Sequence, residues 1–162
     1  MTRMLQAGDE LPEAEVFLGP RQSLSLPELV ADGPKLLLFY PFDWSSTCMN
    51  EVELIRDRRA DFDAAGVQPV GISRDSPWTH IAWTQAIDLN FGLLSDSNGD
   101  AVRALGIAHE YRGLRDVARR SAFLVDETGI IRRVWSYDIE GVPDVDELLS
   151  ACRDLQALRR SG

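Results

Sequence analysis

The segment Lys35-Leu36-Leu37-Leu38-Phe39-Tyr40 constrains this chain most. Gly33-Pro34 bounds it on one side and Pro41 on the other. Six residues are too few for a buried helix but suit a strand, and a run apolar at every position suits a strand covered on both faces. Such a strand needs a layer of helices above and below it, which points to an α/β architecture with a central sheet.

The neighbouring signals agree. A loop is expected over 41–47 and a helix over 48–65, with Val52, Ile55 and Phe62 at helical spacing and Gly66 as its stop. Residues 67–73 read as a second strand. Ser76 followed by Pro77 then reads as a helix start, because a serine caps the first turn and proline tolerates the first helical position. Trp78, Ile81, Ala82 and Leu89 form the apolar stripe expected for that helix. A short strand over 91–94 and a short helix over 98–105, ended by Gly106, follow. Strands over 121–126 and 130–135 flank Glu127-Thr128-Gly129 as a hairpin. A last helix is expected over 144–158. The fold expected is a mixed central sheet flanked by helices, in a single domain over residues 1–162.

Composition narrows the function. A net charge of −9 repels phosphate backbones and anionic lipid, so neither nucleic acid nor a membrane surface is an expected partner. The first residues lack an apolar run of signal-peptide length, so a cytoplasmic protein is expected. Two cysteines, Cys48 and Cys152, are too few and too far apart for a disulfide scaffold. Two histidines without clustered cysteines make no zinc site, and no cofactor is called for.

Cys48 lies after a strand and a loop, at the start of a helix. A thiolate is the reactive form of cysteine, and a free thiol titrates near about 8.5. Lowering that by about two units takes roughly 2.7 kcal/mol, whereas a helix terminus supplies about 0.3–1 kcal/mol. A reactive Cys48 therefore requires a cationic partner and hydrogen-bond donors. Ser45, Ser46 and Thr47 place hydroxyls beside it.

The segment Phe39-Tyr40-Pro41-Phe42-Asp43-Trp44-Ser45-Ser46-Thr47-Cys48-Met49-Asn50-Glu51 resembles the active-site segment of the peroxiredoxins. In that family a proline, a threonine or serine and the peroxidatic cysteine recur at the spacing of Pro41, Ser45 and Cys48. The resemblance spans roughly residues 8–140. It takes in Gly8-Asp9 with Leu11-Pro12, Ser23 to Leu26, Val70 to Ser73 with Asp75-Ser76, Leu94 to Asp96, Gly106-Ile107, and Arg120 to Asp126 with Gly129. It implies an elaborated thioredoxin fold and a thiol-specific peroxidase for hydrogen peroxide and organic hydroperoxides.

Residue by residue, the resemblance implies that Cys48 attacks the peroxide and becomes a sulfenic acid. Arg120 stabilises the thiolate and the leaving oxygen. The Ser45 hydroxyl and the Cys48 N–H bond the peroxide, Pro41 shields the sulfur, and Glu51 holds the arginine side. Serine at position 45 keeps the hydroxyl but lacks the threonine methyl that restricts its rotamer. Arg119 is adjacent to Arg120, but consecutive strand residues face opposite ways, so only one reaches the pocket; the spacing to Phe123 favours Arg120.

Cys152 falls on one helical face with Val145, Leu148, Leu149 and Leu155, which reads as core. A one-cysteine cycle resolved by an external thiol, either small or carried by a thioredoxin- or glutaredoxin-like protein, is therefore expected. His80 falls off the apolar stripe and is expected in solvent, His109 is placed in a surface loop, and Trp78, Trp83 and Trp135 are placed in the core. Trp44 is expected to wall the pocket or to meet a second subunit, the family precedent being a homodimer or higher homo-oligomer. A thioredoxin-like disulfide reductase would need a second cysteine three residues from Cys48, where serine and glutamate stand instead. A non-enzymatic redox sensor or relay on the same fold is the remaining alternative.

Overall fold

The computed structural model describes residues 3–137 and 141–161. In chain order the elements are β1 (Glu15–Gly19), β2 (Gln22–Ser25), α1 (Leu26–Val30), β3 (Lys35–Phe39), α2 (Ser46–Asp57), α3 (Arg59–Ala64), β4 (Gln68–Ser73), α4 (Pro77–Ala86), β5 (Gly92–Ser95), α5 (Asp100–Ala104), β6 (Ala108–Tyr111), β7 (Leu114–Ala118), β8 (Ser121–Val125), β9 (Ile131–Ser136) and α6 (Val145–Ser161). Seven strands form one sheet in the order β2-β1-β5-β4-β3-β8-β9, and β6 and β7 form a separate ribbon. The β3, β4 and β5 strands are parallel, while β1 and β8 run antiparallel to their neighbours, so the sheet is mixed.

The β3 strand is buried along its whole length. Its residues alternate between two apolar layers. Leu36, Leu38 and Tyr40 join Cys48, Val52, Ile55, Phe62, Trp83 and the inner face of α6. Leu37 and Phe39 join Leu26, Val30, Val102 and Leu105 on the other side. The two-residue side-chain period thus divides one apolar run between two helical layers.

The helix expected over 48–65 is broken. Arg58, with φ −109° and ψ 14°, separates α2 from α3, and its guanidinium bridges Asp61 on α3 and Asp146 on α6. The Ser76 cap stands as expected, its hydroxyl accepting from the Thr79 N–H at 3.2 Å. Of the stripe assigned to that helix only Leu89, which lies past the helix end, packs against the core. Trp78, Ile81 and Ala82 are exposed, and the inward face is Pro77, His80 and Trp83. The helix is turned this way because His80 has buried polar partners and Trp83 packs on Tyr40, their rings 5.8 Å apart. Trp78 is therefore not core, whereas Trp83 and Trp135 are.

Two hairpins carry weaker signals in the sequence. One is β1–β2. The other is β6–β7, where a loop was expected around His109. His109 is half-buried in β6, with Nδ1 2.9 Å from the Val117 carbonyl across the ribbon. The connecting residues Arg112 (φ 50°) and Gly113 (φ 87°) both have positive φ, as a type I′ turn requires.

Candidate active site

Sheet register builds the site. Phe39 pairs with Ser121, so Tyr40 and Arg120 lie side by side just beyond the paired ends of β3 and β8. Arg120 shares the side of Ala122 and Leu124, the layer that contains Cys48. The site also lies past the C-terminal ends of the parallel strands, where α/β sheets open a crevice. Arg119 is exposed and Arg120 buried, as strand alternation requires.

Ser45 caps α2. Its backbone is extended and its hydroxyl oxygen accepts from the Cys48 N–H at 3.2 Å. That bond fixes Cys48 in the first helical turn, where the helix dipole favours negative charge. The Ser45 oxygen and the Cys48 N–H, expected to face peroxide together, bond each other here. The serine hydroxyl hydrogen keeps its freedom to donate outward.

Cys48 is fully buried. Arg120 Nη2 donates to Cys48 Sγ at 3.2 Å, and Nη1 donates to Glu51 Oε2. Glu51 follows Cys48 by three residues, so both side chains lie on one face of α2. Burial lifts the Glu51 carboxyl to about 7, against the pull of Arg120. For Arg120, burial opposes the charged form, but Glu51 and Cys48 outweigh it and raise its pKa. Glu51 Oε1 is buried without a hydrogen-bond partner among the described residues. Pro41 is buried at the start of the loop.

A cavity of about 180 Å³ opens onto Pro41, Ser45 and Arg120, while Cys48 and Glu51 lie buried behind its lining. Pro41, Phe42 and the hydroxyl residues Ser45, Ser46 and Thr47 line one side, and Tyr111, Arg112 and Arg120 the other. Larger grooves lie elsewhere, those of about 380 and 470 Å³ beside the β1–β2 hairpin, and no cysteine lines them. Trp44 does not line the cavity; it stands half-exposed at φ 71°.

A buried polar cluster beneath the loop was not anticipated. Asp43 Oδ1 accepts from the Tyr40 hydroxyl at 2.6 Å, and Asp43 Oδ2 lies 2.7 Å from His80 Nδ1. His80 Nε2 donates to the Leu94 carbonyl at 3.0 Å. The Asp43 N–H donates to Asp75 Oδ2 at 2.9 Å, and Asp75 also accepts from the Ser73 hydroxyl. Burial and the neighbouring Asp43 charge raise the Asp75 pKa. His80 is thus not in solvent but 4% exposed, tying the loop to α4 and β5. Its spacing of three from both Pro77 and Trp83 was the available signal. Cys152 is a buried free thiol in the same apolar layer as Cys48, and burial pushes it up to about 12. Among the described residues no group of three or more potential metal ligands is found.

The family model described as AhpC/TSA matches residues 7–134. A peroxiredoxin of Methanococcus maripaludis is 30% identical over 161 residues, covering 94% of this chain and 73% of its own. Peroxiredoxin 2 of Sulfurisphaera tokodaii is 29% identical over 161 residues, covering 96% and 74%. Among solved structures, peroxidoxin BcpB of Mycobacterium tuberculosis has a TM-score of 0.81 at 24% identity, covering 93% of this chain and 98% of its own. Enterococcus faecalis AhpC has a TM-score of 0.82 at 23% identity, covering 97% and 96%. These structural likenesses bear on the fold, which is the elaborated thioredoxin fold. From the matched family model and relatives, the chain belongs to the AhpC/TSA family, the peroxiredoxins.

Proposed function

We propose that this chain is a thiol-dependent peroxidase, acting as one domain, in which Cys48 is the peroxidatic residue. The Cys48 thiolate attacks the terminal oxygen of a hydroperoxide. The S–O bond forms as the O–O bond breaks, the sulfur is oxidised to a sulfenic acid, and the leaving alkoxide or hydroxide takes a proton from solvent. Such a displacement needs an ionised nucleophile and donors preorganised where negative charge grows. Arg120 supplies the guanidinium, Ser45 its hydroxyl hydrogen, Pro41 screens the sulfur, and Glu51 positions Arg120. The observation that carries this reading is the buried Arg120 donating at once to Cys48 Sγ and to Glu51.

An external thiol then condenses with the sulfenic acid, releasing water and leaving a mixed disulfide. A second thiol releases Cys48 and departs as a disulfide. The burial of Cys152 and its elevated pKa support this one-cysteine cycle. The reductant is a small thiol or a thioredoxin- or glutaredoxin-like protein, and the compartment is the cytoplasm. No helix among the described residues is long and apolar enough to cross a membrane. The chain self-associates, as a homodimer or a higher homo-oligomer. Half-exposed Trp44 and exposed Trp78 support that assignment. No feature of the site favours the non-enzymatic sensor.

Steady-state consumption of hydrogen peroxide and of an organic hydroperoxide, with several thiol donors, tests the function. Turnover that depends on added thiol and vanishes in Cys48→Ser is expected. Full turnover in that variant would overturn the assignment.

A further inference from the structure

The cavity beside Cys48 carries two arginines among its described lining residues, where a neutral peroxide calls for one. The chain carries a net charge of −9, yet among the described residues the charged ones lining this cavity are both arginines, Arg112 and Arg120. Arg120 is committed to Glu51 and to Cys48. Arg112 is not so committed: it forms no ion pair with any described residue, and its guanidinium carbon lies 5.3 Å from the centre of the Tyr111 ring. Tyr111 in turn packs on Phe42, with ring centres 6.0 Å apart.

The guanidinium is held at this place by the ribbon beneath it. Arg112 occupies the first position of the β6–β7 turn at φ 50°, a conformation that a long side chain rarely adopts. The ribbon is braced from outside by Arg74 Nη1, which donates to the Asp116 carbonyl at 2.6 Å, and by the Arg103–Asp116 ion pair. A cation stacked on an aromatic ring keeps its outer edge free for an anion.

We propose that Arg112 captures a carboxylate on the small organic co-substrate that enters this cavity, with its apolar body against Phe42 and Tyr111. This rests on the peroxidase reading above and deepens it. The site selects carboxylate-bearing small molecules over neutral ones of equal size. The carboxylate belongs to the hydroperoxide or to the reducing thiol.

Alkylation of Cys48 by iodoacetate and by iodoacetamide, near-isosteric reagents with and without the carboxylate, tests the capture without any peroxide. The variants are Arg112→Asn, which tolerates the turn, and Arg112→Lys, which keeps the charge. The iodoacetate to iodoacetamide rate ratio should fall about fivefold in Arg112→Asn, the size of an exposed charge pair, and recover in Arg112→Lys. An unchanged ratio overturns the proposal, as does an equal fall with both reagents, which marks structural damage.

Two further pairs identify the source. One is tert-butyl hydroperoxide against an aliphatic hydroperoxide of similar size bearing a carboxylate. The other is 2-mercaptoethanol against 3-mercaptopropionate as reductant. An Arg112-dependent preference in either pair supports the proposal and names the co-substrate. A preference seen in alkylation alone overturns the assignment to a co-substrate. A protein that alkylates selectively but consumes no hydrogen peroxide contradicts the peroxidase reading instead.

Discussion

At the scale of single residues, the site is organised around one buried ion pair. Arg120 and Glu51 are 3% and 1% exposed, so neither has solvent to fall back on. Burial raises the Glu51 carboxyl to about 7 from an ordinary 4.5. An acid whose folded pKa is raised binds its proton more tightly in the folded state. Its contribution to stability is complete below the unfolded value and is lost as pH rises through the folded one. Glu51 should therefore make the protein less stable between about pH 4.5 and about pH 7. Urea unfolding at several pH values should show this decline in wild type, and Glu51→Gln should flatten it. Equal slopes would place the Glu51 proton outside the folding equilibrium.

At the scale of elements, the loop before Cys48 is held by a helix face that the apolar pattern misassigns. Hydrophobicity alone chose Trp78, Ile81 and Ala82 for the buried side of α4. The structure buries His80 instead, because Asp43 and the Leu94 carbonyl satisfy both ring nitrogens. His80→Leu would leave a buried carboxylate and a buried carbonyl short of a partner, at about 1–3 kcal/mol for each unsatisfied group. It should cost more stability than Trp78→Ala, although tryptophan is the larger apolar residue, and it should also slow Cys48 oxidation by loosening the loop. Denaturation midpoints and stopped-flow rates for the two variants check both statements. A larger loss from Trp78→Ala would contradict this placement of α4.

The contrast also shows what sequence carries. The β3 strand, the β8–β9 hairpin and the Ser76-Pro77 helix start were legible because their signals are local. An apolar run between prolines, a glycine in a turn and a capping serine each act within a few residues. The Arg120 side was legible from strand alternation. The Asp43–His80 pair was not, because its members are 37 residues apart and meet only after β4 and α4 have packed. The β6–β7 ribbon was missed for a different reason. Its turn places an arginine at positive φ, where asparagine, aspartate or glycine is the usual marker.

At the scale of the whole molecule, two apolar layers sandwich the seven-stranded sheet, and the site occupies the edge where β3 passes into α2. Several large apolar side chains remain outside the layers. Trp78 is 67% exposed and Trp44 50%, the latter within the loop before Cys48. An interface over these aromatics would seal the outside of the loop while leaving the cavity open on the Tyr111–Arg112 side. Sedimentation at micromolar concentration should give at least twice the 18.1 kDa of one chain, and Trp78→Asp should lower it. A monomer in both proteins would remove the interface and leave the chemistry of Cys48 untouched.

On the proposed function, Cys48 activated by Arg120 takes the peroxide oxygen and is not resolved from within the chain. Rapid mixing of reduced protein with one equivalent of hydrogen peroxide, quenched and read by mass spectrometry, tests it most directly. A sulfenic acid should appear at Cys48, formed as fast in Cys152→Ser as in wild type and at least tenfold slower in Arg120→Ala, the loss expected when a buried charged donor is removed from the reacting atom. A stoichiometric Cys48–Cys152 disulfide, or oxidation at full rate without Arg120, would contradict it.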